Sequence, residues 1–354
     1  MKNKFSLRLL LLPFSLLWGG ANFISRMLYK IGLLKSAEFS IPVIGVGNLS
    51  MGGTGKTPHT MYLAYYLSQY MKVGIISRGY KRKKGGYQEL TATSSAWEAG
   101  DEAVLTKRKL PHVVVSVSEN RSLGIPAMLK SNDDIRAVIM DDAFQHRSVK
   151  PYLQILLSEF DDPFYQDFIF PAGNLREGRH SANNASAIII TKCSPDISAE
   201  SMTNIESAIH KRWDIPVFFS TLEYFHPFNI FNPSERIDLA NHSDVVLITG
   251  IAGADKLLSY LGQKVDTTHH LSFSDHYYFK NNDIARIKTV RDSYPTKDVI
   301  FLTTEKDAMR LELHKAFFIR NNIPVYALPI QVKFIKSNHE FHQFIQNALL
   351  EFKS

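Results

Sequence analysis

One string limits this chain more than any other feature: Ser50-Met51-Gly52-Gly53-Thr54-Gly55-Lys56-Thr57. An apolar, β-branched run ends just before it and a helical pattern begins just after it. That is the setting in which a Walker A loop binds phosphate. The glycines let successive backbone N–H groups turn inward around phosphate oxygens, and the helix N-terminus adds partial positive charge. In this reading Lys56 reaches the β- and γ-phosphates of a nucleotide and the Thr57 hydroxyl ligates Mg²⁺. Pro58 is tolerated because the first helical turn has spare N–H donors. Ser50 stands at the usual first glycine, a position that shapes the loop entrance more than the phosphate contacts. A Gly-rich turn without function is the competing reading, and it explains neither Lys56 nor Thr57.

The rest of the chain has the pattern such a loop needs. Strands are expected at Ile41–Val46, Lys72–Ser77, His112–Val117, Ala137–Met140, Leu153–Leu157, Ala187–Thr191 and Pro216–Phe219, with a helix over Thr57–Tyr70. These are continuous apolar runs, which suit a mostly parallel sheet covered by helices on both faces. Pro227, Pro233 and weak periodicity mark residues 223–243 as a connection. Beyond it, Val245–Thr249, Val265–Leu271, Val299–Thr303 and Val325–Leu328 predict a smaller α/β unit. The expected organisation is residues 1–30 as a membrane-associated helix, 31–222 as a P-loop NTPase-like core lobe, 244–330 as a second lobe and 331–354 as a C-terminal helix.

An acid at the end of an apolar strand should follow a Walker A loop. Ala137-Val138-Ile139-Met140-Asp141-Asp142 supplies it, with one carboxylate for Mg²⁺ and the other to place the metal or a nucleophile. An Asp pair that merely caps the next helix is the alternative. At the N-terminus, Lys2 and Lys4 precede an uncharged stretch of 17 residues, Leu9 to Ser25. As a helix it would reach about 26 Å, short of a hydrocarbon core of ~30 Å, and Pro13, Gly19 and Gly20 weaken it further. A cleaved signal peptide and a spanning helix are weighed against an anchor lying in one leaflet, and the anchor is preferred. A net charge of +7 and a pI of about 9.2 point to anionic partners without choosing among them. The single cysteine, Cys193, excludes an internal disulfide framework and multi-cysteine metal sites. Adjacent His269 and His270 point apart on a strand, so they do not suggest zinc.

Six further signatures name a family. They are Ser77-Arg78-Gly79-Tyr80-Lys81, Gly100-Asp101-Glu102, Asp141-Asp142-Ala143-Phe144-Gln145-His146, Pro171-Ala172-Gly173-Asn174-Leu175-Arg176-Glu177, Phe273-Ser274-Asp275-His276-Tyr277 and Thr303-Thr304-Glu305-Lys306-Asp307. In this order they resemble the lipid A 4′-kinase family, also called tetraacyldisaccharide 4′-kinase, from the N-terminal stretch to about residue 310. Ala143, Gly178 and Ser274 depart from the family pattern at backbone-shaping positions. The resemblance implies a two-lobed P-loop kinase on the cytosolic face of the inner membrane. It would transfer the γ-phosphate of ATP, with Mg²⁺, to the 4′-hydroxyl of an acylated glucosamine disaccharide 1-phosphate. A monomer is expected, with no nucleic-acid partner.

The resemblance also distributes roles. Asp101 and His276 become the proton-accepting pair, one from each lobe, although a lone histidine among 13 is ordinarily structural. Glu102 is the alternative base or an outer neighbour of the metal. Arg121, Arg176, Gln145 and His146 are expected around the nucleotide, and Glu177 beside Thr57, Asp141 and Asp142 around Mg²⁺. Lys306 and Asp307 either stabilise the second lobe or touch substrate. Two other classes stay open. A membrane-associated NTPase switch would want an Asn-Lys-x-Asp string, and Thr191-Lys192-Cys193-Ser194 lacks the acid. A nucleic-acid-binding ATPase would want Arg and Lys interleaved with aromatics, found only in the short Tyr80-Lys81-Arg82-Lys83-Lys84.

Overall fold

The structure, a computed structural model, describes residues 8–294, 299–336 and 338–353; Lys2 and Lys4 lie outside the described residues. The strands are β1 (Val43–Asn48), β2 (Val73–Ser77), β3 (Gln88–Glu89), β4 (Val114–Val117), β5 (Ala137–Asp141), β6 (Leu153–Glu159), β7 (Ala187–Thr191), β8 (Val217–Tyr224), β9 (Phe228–Asn229), β10 (Asp244–Thr249), β11 (Thr267–Ser272), β12 (Ile300–Thr304), β13 (Val325–Leu328) and β14 (Ile330–Phe334). They form two sheets. The larger runs β14-β8-β7-β6-β1-β5-β2-β4-β3, and the smaller runs β11-β10-β12-β13-β9. Pairing is parallel within each sheet except at β14, β3 and β9, which sit antiparallel at edges. All six residues of β1 and all five of β5 are buried, as a strand covered on both faces requires.

The register of β1 on β5 sets Val46 opposite Asp141. The carboxyl ends of these neighbouring strands therefore bring the phosphate loop and the Asp pair together. The helix Lys56–Ser68 leaves the loop and buries Met61, Leu63, Ala64 and Leu67. Its other neighbours come from the end of the chain. Sequence periodicity predicts residues 331–354 as a C-terminal helix alone, but β14 precedes that helix and pairs with β8. The helix Asn338–Leu350 then packs on the Lys56–Ser68 helix, with the His342 ring stacked 3.7 Å from Tyr66 and hydrogen-bonded to the Tyr62 hydroxyl at 2.8 Å. β14 escapes sequence reading because as an edge strand it buries only alternate residues, Val332 and Phe334. Likewise Phe228–Asn229, inside the expected connection, closes the smaller sheet against β13.

A 3₁₀ turn, Arg8–Leu11, leads into the helix Leu12–Lys30, on which only Ser15 is buried. Leu10, Leu16 and Leu17 are each roughly three-quarters exposed (76%, 75% and 73%). Residues Arg8–Lys30 are long and apolar enough to cross a membrane by length and composition. The helix is nonetheless tied to the larger lobe along its side. The Ser15 hydroxyl donates to the Ile169 carbonyl at 2.9 Å and accepts from the Ala172 amide at 2.9 Å. Trp18 Nε1 and Asn22 Nδ2 each donate to the Arg176 carbonyl at 3.1 Å.

Candidate active site

A cleft of about 1170 Å³ separates the lobes. Its floor is the phosphate loop, where Gly52 (φ +129°) and Gly55 (φ +87°) take backbone conformations that a side chain would strain. The segment Pro171–Glu177 is zipped onto this loop: the Met51 amide donates to the Asn174 carbonyl and the Arg176 amide to the Leu49 carbonyl, both at 2.7 Å. That pairing explains why Pro-Ala-Gly-Asn-Leu-Arg travels with the loop, and it aims the Arg176 side chain inward. Gly173 is required there, since a Cβ would fall 2.2 Å from the Phe168 carbonyl oxygen.

Asp141 is buried and doubly held. The Thr57 hydroxyl donates to one carboxylate oxygen at 3.0 Å and the Thr60 hydroxyl to the other at 3.2 Å. Burial, with Glu102 and Asp142 nearby, pushes its carboxyl up to about 7 despite Lys56 and the Thr57 hydrogen bond. Asp142 has the opposite fate. Burial works against its charge, but Lys56, then Arg176 and Arg121, hold it below the ordinary carboxylate range. Lys56 Nζ lies 3.7 Å from Asp142 and donates to Asn48 Oδ1 at 3.3 Å, while Arg176 donates to both Asp142 oxygens at 3.2 and 3.1 Å. Asp142 adopts φ +50°, a left-handed conformation that costs a non-glycine residue roughly 1–3 kcal/mol.

The opposite wall draws on both lobes. Asp101 opens the helix Asp101–Lys109, and His276 sits in the turn after β11 at φ +54°. His276 Nδ1 is 3.0 Å from each Asp101 oxygen. Arg310, buried in the helix Glu305–Leu311, places Nε 3.3 Å from the same carboxylate and bonds Asp307 and the Gly250 carbonyl. Burial raises Asp101, but the His276 hydrogen bond, Lys306 and Arg310 outweigh it and keep the carboxylate ionised. Two residues 175 positions apart in the chain thus form one buried pair across the cleft.

Residues 7–350 match the family described as tetraacyldisaccharide-1-P 4′-kinase. The chain belongs to that family. A tetraacyldisaccharide 4′-kinase of Bacteroides thetaiotaomicron is 37% identical over 348 residues, 95% of this chain and 91% of the relative. One of Flavobacterium psychrophilum is 37% identical over 343 residues, 96% of each chain. The crystal structure of the "apo" form LpxK from Aquifex aeolicus in complex with ATP superposes with a TM-score of 0.73 at 32% identity, covering 97% of this chain and 99% of that one. The fold is the P-loop kinase fold with its N-terminal apolar helix, and the protein is an ATP-dependent kinase of lipid A biosynthesis.

In this kinase most of the residues singled out by sequence converge. Ser50 and Met51 enter the loop, and Met51 through Thr57 line the cleft with Asp101, Glu102, Asp141, Asp142, Arg176 and His276. The Thr54 hydroxyl is buried with no partner. Gln145 reaches the loop from behind, donating to the Asn48 carbonyl at 3.0 Å and accepting from Arg176 at 2.9 Å. Arg121 is buried with Nε unpartnered, its backbone amide bonded to His146 Nε2 at 3.2 Å. Burial, with Arg121 and Arg78 close by, lowers His146 to about 4. Glu177 behaves differently from the expected metal ligand. Its carboxylate pairs with Arg147 at 2.9 Å and accepts from Ser181, and it is not part of the cleft wall. It fixes the segment beneath the N-terminal helix instead. Among the described residues, no group of three His, Cys, Asp or Glu could hold a metal unaided. Asn48, Arg310 and Arg78 were not legible as site residues. Asn48 is the one with a signal, a polar residue fully buried at the end of an apolar strand.

Proposed function

We propose that this kinase moves the γ-phosphoryl group of ATP to the 4′-hydroxyl of a tetraacylated glucosamine disaccharide 1-phosphate, with Asp101 as the base. The observation that carries the reading is the Asp101–His276 pair, drawn from both lobes onto the wall of the cleft that holds the phosphate loop. The Asp101 carboxylate takes the proton of the sugar hydroxyl. The hydroxyl oxygen bonds the γ-phosphorus as the bond to the β,γ-bridging oxygen breaks, and ADP leaves with that electron pair. Lys56 and Arg176 balance charge on the phosphoryl oxygens. Glu102, which faces Lys306 at 3.1 Å rather than a sugar path, is the weaker choice of base.

Thr57 and Asp141 fit a magnesium ion, because the Thr57 hydroxyl and an Asp141 carboxylate oxygen stand 3.0 Å apart beside the loop, the hard oxygen donors that magnesium takes. Thr57, Asp141 and Asp142 would hold it, and it would supply charge neutralisation on the β- and γ-phosphate oxygens. The N-terminal helix supports a membrane-associated enzyme. Contacts from Ser15 to Arg26 bind one side of it to the larger lobe, so it lies along the protein with its apolar face outward. That favours a helix dipped into the cytosolic leaflet of the inner membrane over one that spans it.

The test uses γ-labelled ATP, Mg²⁺ and a panel of acceptors: the acylated disaccharide 1-phosphate, its 4′-deoxy analogue, a nucleoside and a protein. Label should appear on the first alone. Equal release of inorganic phosphate without any acceptor would instead favour a nucleotide-hydrolysing switch.

A further inference from the structure

We infer that Lys306 is a positioning residue that fixes the tautomer of His276, and through it the accepting face of Asp101. The inference rests on the proposed role of Asp101 and His276 as the proton-accepting pair. Lys306 stands in the first turn of the helix Glu305–Leu311, directly after β12. Its Nζ lies 3.0 Å from His276 Nε2, 3.1 Å from Glu102 and 3.4 Å from Asp275. Burial works against its charge, but Glu102, Asp101 and Asp275 outweigh it and hold the ammonium above the ordinary lysine range. A charged ammonium has three donors and no acceptor. The ring nitrogen facing it therefore presents a lone pair, and the ring proton sits on Nδ1. Nδ1 is the atom 3.0 Å from both Asp101 oxygens, where a donor is needed.

The groups around the ring show what Lys306 prevents. Asp101 faces it from the helix Asp101–Lys109 and Asp275 from its own turn at 3.8 Å, while Glu102 pairs with Lys306. Lys306 approaches from the smaller lobe, and Lys81 donates to the Asp275 and His276 carbonyls, at 3.0 and 3.4 Å, not to the ring. The Tyr80 ring meets the imidazole edge-on at 4.8 Å, and Arg310 acts only through Asp101. Without Lys306 no donor would face Nε2, and the tautomer with its proton there would turn a lone pair toward Asp101, which would then lose its hydrogen bond. The Lys306–His276 contact lies within the smaller lobe, and the same ammonium reaches across the cleft to Glu102 at 3.1 Å.

The experiment is a two-bond ¹H–¹⁵N spectrum of full-length, histidine-labelled protein, with His276→Gln to assign the signal. His276 should carry its proton on Nδ1 with Nε2 bare. Lys306→Met should lower kcat about 100-fold with KM for ATP within about twofold. Lys306→Arg, which keeps a donor, should recover most of the rate. A proton on Nε2 in the wild type overturns the inference, whatever the variants do. So does a Lys306→Met enzyme with unchanged kcat and a raised acceptor KM. Full activity of Asp101→Asn would instead sink the reading of the pair while leaving the tautomer assignment standing.

Discussion

Lys56 and Asp142 meet at 3.7 Å over the phosphate loop, and the same carboxylate takes Arg176 at 3.1 Å. Both cations thus converge on one carboxylate beside the loop. Lys56→Ala should lower kcat/KM by on the order of 10²–10³-fold or more. Its far-UV circular dichroism should match the wild type, since Lys56 contributes no core packing. Undiminished turnover would reject the loop assignment.

Asp101→Asn keeps the size of the side chain and removes the proposed base. The expected loss is on the order of 10²–10⁴-fold in kcat, with KM for ATP nearly unchanged. Steady-state kinetics with varied ATP separates the two. A raised KM at constant kcat would make Asp101 a binding residue.

Arg310 is completely buried between Asp101 and Asp307. Asp307 also accepts from the Gly250 amide at 3.0 Å and the Thr304 hydroxyl at 2.7 Å, so it ties the helix Glu305–Leu311 to the turn after β10. Arg310→Met removes the buried cation shared by two buried carboxylates and should destabilise the fold by about 3–5 kcal/mol in urea titrations. Adding Asp307→Asn should recover part of the loss. Equal stability of the single variant and the wild type would contradict this account of the network.

His59 gives a stability signal that depends on pH. It is buried behind the loop between the Gly55 carbonyl at 2.7 Å and the Ser220 hydroxyl at 2.9 Å. Burial lowers it from 6.5 to about 4, offset in part by the Gly55 carbonyl. The unfolded chain therefore takes up this proton first as pH falls. Stability should be lost from about pH 6.5 down to about pH 4, by at most about 1.4 kcal/mol per unit. The melting temperature of His59→Gln should fall less steeply over that window. Parallel curves would show that His59 is not the group responsible.

Removing residues 1–30 takes away the exposed apolar helix while leaving the sheets complete. The truncated enzyme should no longer co-sediment with vesicles containing anionic lipid. If it still pellets with them, the membrane contact lies elsewhere.

Much of this was legible in the residues themselves. Continuous apolar runs marked β1, β5 and β7 because strands covered on both faces favour apolar residues up to their carboxyl ends. The loop from Ser50 to Thr57 was readable because phosphate binding dictates glycines, a lysine and a hydroxyl at fixed spacing. β14 was not, because an edge strand buries every second residue and resembles a loop of mixed polarity. The turn of Glu177 toward Arg147 and Ser181 was not legible because a motif lists neighbours in the chain without saying which way each side chain turns. Asp142 points inward only because its backbone takes φ +50°, which no sequence pattern announces.

By itself the sequence determined the two α/β lobes, the phosphate loop and the acid pair that follows it. Those depend on local patterns: periodic burial, and chemistry packed into a few consecutive residues. Tertiary structure alone decided that Asp101, His276, Lys306 and Arg310 form one cluster. They come from elements far apart in the chain, and the charge pairing that joins them in a buried space exists only once those elements pack together.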